Sequence, residues 1–122
     1  MGHSPTAVFG QGVYLSADDA DYILICERLG VSSDDDISVD ELVRLVTKHT
    51  NVKVRSTDGD APAHLFHTGK CWAADWDAAN VSLSDINREL TEEEVKRLTA
   101  AAYLVGLDTD NAVKWWVFAD NR

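Results

Sequence analysis

The segment His64-x2-His67-x3-Cys71 gathers residue types that commonly bind transition metals. A closed zinc site needs four ligands, and the fourth would come from Asp75 or from a distant residue. If residues 63–67 form a strand, His64 and His67 lie an odd number apart and point to opposite faces. Ordinary histidines and no bound cofactor are therefore expected. Thr68-Gly69-Lys70 ends like a phosphate-binding loop, but the upstream glycine is missing and Cys71 follows the lysine. Asp34-Asp35-Asp36 and Asp108-Thr109-Asp110-Asn111 have the composition of calcium ligands without an EF-hand's glycine and distal glutamate in register. Helix capping accounts for both better. There is no G-x-S-x-G elbow, no H-E-x-x-H and no tight pair of nucleophile and base. The sequence names no catalytic residue, and the chain is not expected to be an enzyme. The alternative is a small enzyme or ligand-binding domain built on His64, His67 and Asp75.

Charge narrows the partners. Twenty-one acids against eleven bases give a net charge of -10. The excess is spread along the chain, with eleven acids and five bases up to Ala61 and ten acids and six bases after it. Such a field repels nucleic-acid phosphates and anionic membranes and favours basic proteins. Solubility alone also accounts for it. The four tryptophans are many for 122 residues. Trp72, Trp115 and Trp116 lie in apolar stretches and read as core residues, although large aromatics also anchor interfaces. Cys26 and Cys71 lack CxxC spacing, and Cys26 sits in an apolar run that suits a buried thiol. No apolar stretch approaches the roughly 20 residues of a membrane span. The start Met1-Gly2-His3-Ser4-Pro5 has no signal-peptide pattern. A cytoplasmic chain is expected, with residues 1–6 as a flexible start or vector remnant and 7–122 as one acidic domain.

The elements that must position these residues follow from caps and periodicity. Residues 7–15 hold β-formers interrupted by Gly10 and Gly12, and read as a strand over 12–15 or as a hairpin-like bend with two short arms. Ser16 is expected to cap a helix with Asp18, Asp19 and Asp21 in its first turn, ending at Gly30. Ser38-Val39-Asp40-Glu41 is a capping box, followed by Val39, Leu42, Val43 and Val46 on one helical face. Residues 52–55 and 63–67 read as strands of a hairpin around Asp58-Gly59-Asp60. Residues 69–80 carry no decisive pattern. A short helix is expected over 83–90, capped by Ser82 or Ser84. Thr91-Glu92-Glu93-Glu94 is a second capping box, with Leu90 and Val95 as its hydrophobic staple, and that helix stops at Gly106. A last helix over about 109–119 is favoured over a strand at 113–118. The sum is an α+β chain, mainly helical, with four to five helices and a small antiparallel β element near 12–15, 52–55 and 63–67.

The helix pair at 83–105 has helix-turn-helix lengths but would present Glu92, Glu93 and Glu94 to phosphates, so a DNA-associated regulator is the third reading only. The stretch Gly12-Val-Tyr-Leu-Ser-Ala-Asp-Asp-Ala-Asp-Tyr-Ile-Leu-Ile-Cys-Glu-Arg-Leu29 resembles openings of small accessory proteins of actinobacterial phages and prophages. That resemblance implies a small host-directed or regulatory protein and carries no functional residues. The sequence thus predicts an acidic protein-binding module, an inhibitor or modulator of a basic host protein, with a homodimer also open. Its expected contacts are Asp34, Asp35, Asp36, Glu92, Glu93, Glu94 and Trp76.

Overall fold

In the computed structural model, which describes residues 5–58, 61–74 and 81–121, the helices start where side-chain acceptors are available. Helix α1, Tyr22–Leu29, is capped by Asp21, whose carboxylate accepts from the Leu24 amide at 3.2 Å. The expected cap, Ser16, is instead occupied in a turn: its carbonyl and hydroxyl both accept from the Asp19 amide. Gly30 closes α1 at φ 73, left-handed backbone in which other residues crowd their own carbonyl. A 3-10 turn, Ser33–Asp35, leads to α2, Val39–Thr50, whose cap Ser38 takes the Glu41 amide at 3.2 Å. Helix α3, Leu83–Asn87, is capped by Ser82, and α4, Glu92–Leu104, opens with both halves of the Thr91–Glu94 box formed.

The expectation of a mainly helical chain is overturned. The helices hold 8, 12, 5 and 13 residues. The strands hold 11, 4, 11 and 8: β1, Pro5–Leu15; β2, Lys53–Ser56; β3, His64–Ala74; β4, Lys114–Asn121. They form one antiparallel sheet in the order β2-β3-β1-β4. The helix expected over 109–119 is mostly β4. Its tryptophans, valine and phenylalanine favour a pleated surface, and the strand satisfies the backbone of residues 5–12 of β1. Asp108 holds a turn, accepting from the Asp110 amide, rather than capping a helix. The strand expected at 12–15 starts at Pro5, which also brings residues 5 and 6 into the sheet rather than into a loose start. The strand expected at 63–67 runs on to Ala74.

Gly10 and Gly12 are the reason the β1 run continues. A Cβ at Gly12 would lie 1.9 Å from the Phe66 carbonyl oxygen, and one at Gly10 would lie 2.4 Å from that of Lys70. Between these glycines the register shifts: Gly10 faces Cys71 whereas Gly12 faces His67, so β3 bulges. The sheet folds over there. Tyr14, near one end of β1, stacks on Trp116 and meets Phe118 at a tilt, although these pair with residues 10 and 8 farther along the strand. Arg55 on β2 comes within 3.6 Å of Asp120 on β4, although two strands separate them in the sheet order.

This fold-over gives the sheet two apolar sides. Val13, Leu15 and Phe66 face the helices and pack with Ile25 and Cys26, with Leu42 and Val46, and with Leu98 and Ala102. Val8 and Leu65 alternate to the concave side, where they too are fully buried. Each large apolar side chain so buried contributes roughly 1.5–3 kcal/mol relative to exposure.

Candidate binding surface

β3 separates the histidines, as their spacing implies. His64 is buried on the helix side, with Nδ1 2.7 Å from the Ser56 hydroxyl. Burial pushes its imidazole below the usual range, and Asp40 partly offsets this. His67 lies on the concave side, where its Nδ1 accepts from the Gly69 amide at 3.1 Å. Burial, with the Lys53 charge nearby, lowers it to about 4, so it is neutral at pH 7. Burial raises the Cys71 thiol, which suits a passive residue. Asp75 lies outside the described residues. Among the described residues no three His, Cys, Asp or Glu side chains form a group able to hold a metal. None of those helices is long and apolar enough to cross a membrane.

Lys70, at the failed phosphate-loop motif, is only 3% exposed. Its ammonium donates to the carbonyls of Ile86, at 2.8 Å, and Arg88, and sits 4.7 Å from the Trp115 ring centre. Burial and the Arg88 charge lower its pKa, while Glu94 opposes them. The residue ties the α3–α4 turn to the sheet.

The expected acidic contacts do not form one patch. Glu94 is engaged by Arg88 at 2.8 Å, by the Thr68 hydroxyl and by the Thr91 amide. Those bonds, the Arg88 one foremost, lower its carboxyl to about 2. Glu93 pairs with Arg97 at 3.2 Å, and Glu92 is exposed. Asp34 and Asp36 are exposed in and after the 3-10 turn, which packs against α1; the Asp35 side chain lies outside the described set. Helix α1 meets the far end of α4, through Arg28 on the Tyr103 ring and carbonyl. At 1.5 Å per residue, the 13 residues of α4 put about 20 Å between its two ends. Trp76 falls outside the described residues. The pair considered as a helix-turn-helix has a first helix of five residues and a second that opens with Glu92, Glu93 and Glu94.

An aromatic strip emerges instead. On the helix-facing side of the sheet, Trp72, Phe9 and Val117 stand directly across β3, β1 and β4. The Phe9 and Trp72 rings stack at 5.5 Å, and Trp72 and Trp115 lie near-parallel at 6.2 Å. Trp115 is 46% exposed and Val117 78% exposed. The core helices cover the other half of the sheet, around Val13, Leu15 and Phe66. Beside Trp115, a cleft of about 660 Å³ opens between Gln11, Arg88, Thr99 and Asn111. Its cationic heads are engaged, Lys70 by carbonyls and Arg88 by Glu94.

A helix over 109–119 would hide this strip. Strand alternation places Trp115 and Val117 on one side, and Trp116 and Phe118 on the other. The three tryptophans read as core residues are accordingly only partly buried. Compared with protein-family models, with characterised proteins and with solved structures, the chain shows no significant match.

Proposed function

We propose that this chain is a protein-binding module for a basic partner, which docks on the strip of Phe9, Trp72, Trp115 and Val117. The observation that carries this reading is the exposure of Val117 and Trp115 beside two stacked aromatic rings on a face the core helices leave open. Exposed apolar patches mark interaction sites, and a few aromatic anchors carry most of the binding energy in protein interfaces. The net charge of -10 selects the partner by attracting a basic surface and speeding encounter. A modulator of a host protein, as the resemblance of residues 12–29 implies, is one such module.

The test is capture of partners on the immobilised protein at about 50 mM and about 500 mM NaCl. Trp115→Ala and Val117→Asp are compared with the wild type, with Ile23→Asp on α1 as a control that is also exposed. A basic protein retained by wild type and control, lost with both strip variants and weakened by salt, is the expected result. Equal capture by all four proteins would overturn the reading.

A further inference from the structure

The sheet has two edges, and they differ in how they meet solvent. β2 is a four-residue edge carrying Lys53 and Arg55. Short length and cationic side chains are the usual means of preventing an edge strand from pairing with another chain. β4 is an eight-residue edge with five consecutive apolar residues, Trp-Trp-Val-Phe-Ala, and neither proline nor a bulge against β1. Its large apolar side chain most open to solvent is Val117, at the middle of the strand.

We propose that β4 pairs antiparallel with β4 of a second copy about a two-fold axis at Val117, joining the two sheets into one of eight strands. The sequence of the strand is self-complementary in that register. Trp116 stands opposite the partner's Phe118, and Val117 opposite the partner's Val117. Paired aromatics stabilise a cross-strand contact. A register shifted by one residue would set Val117, on the helix side, against Phe118, on the concave side. The dimer also places the two aromatic strips side by side across the axis. It does not rest on the partner reading, and salt separates the two: a basic partner is released by salt, whereas two copies at -10 each repel less as salt is added.

The experiment is sedimentation velocity of the full chain from about 10 µM to about 500 µM, at about 50 mM and about 500 mM NaCl. A dimer whose fraction rises with both concentration and salt is expected, and Val117→Asp should abolish it while circular dichroism stays unchanged. Val117→Cys adds a geometric readout. Residues facing each other in an antiparallel pair have Cα atoms about 4.5–5.5 Å apart, within the span of a disulfide. Oxidation should therefore link Val117→Cys into a dimer and leave Lys96→Cys on α4 monomeric. A monomer at every concentration and salt would overturn the proposal. So would a dimer that survives Val117→Asp, or equal linking of both cysteine variants.

Discussion

The Glu94 carboxylate accepts from the Thr91 amide, from Arg88 and from the Thr68 hydroxyl. One side chain thereby closes the capping box of α4, anchors the α3–α4 turn and pins the helix to β3. Glu94→Gln removes the charge these donors hold and should cost about 1–3 kcal/mol, read as a lower urea midpoint. The pH dependence has a definite sign. The carboxyl lies at about 2 in the folded chain against an ordinary 4.5, so its contribution is complete above the ordinary value and fades as pH falls from there toward 2. The gap in midpoint between wild type and Glu94→Gln should hold at neutral pH and close between about pH 5 and about pH 2. A gap that persists at the acid end would show that the charge is not what matters. The Thr91–Glu94 box was legible because both halves lie within four residues. Thr68 and Arg88 were not, because only the folded sheet and turn bring them to the same oxygens.

At the scale of elements, β1 and β3 are long because they bend. Gly12→Ala would drive a methyl into the Phe66 carbonyl oxygen, a backbone atom that cannot move without opening the β1–β3 ladder. A large loss of stability is expected, at least the ~3 kcal/mol at the upper end of most single substitutions, together with loss of the near-ultraviolet signal of the Tyr14–Trp116 stack. Thermal unfolding followed by near-ultraviolet circular dichroism checks it, and a variant within about 1 kcal/mol of wild type would show that the close approach is relaxed at little cost. Local patterns recovered most helices, since caps act within a few residues. They failed at residues 5–12, where two glycines read as interruptions. They failed again over 109–119, because a run of large apolar residues fits either period until β1 supplies an edge to pair with.

For the whole molecule, the fold-over of the sheet is held at its mouth by Asp120, which is fully buried, accepts from the Asp58 amide at 3.2 Å and pairs with Arg55. Asp120→Asn keeps the shape and removes the charge. A loss of about 1–3 kcal/mol is expected, with weakened packing of Tyr14 against Trp116 and Phe118 by near-ultraviolet circular dichroism. An unchanged urea midpoint would mean that the charge of Asp120 does not hold the sheet closed. The aromatic strip belongs to this scale as well, since Phe9, Trp72, Trp115 and Val117 come from three strands. The sequence by itself determined the acidic balance, the helix starts at Ser38 and Thr91, and the opposite faces of His64 and His67, because charge, capping and alternation act over a few residues. Only the tertiary structure decided that the chain is as much sheet as helix, that Glu94 is committed to structure, and that the tryptophans form a surface. Those outcomes depend on which strands pair and where the sheet bends, and pairing energies between residues more than a hundred positions apart are not written in any local pattern.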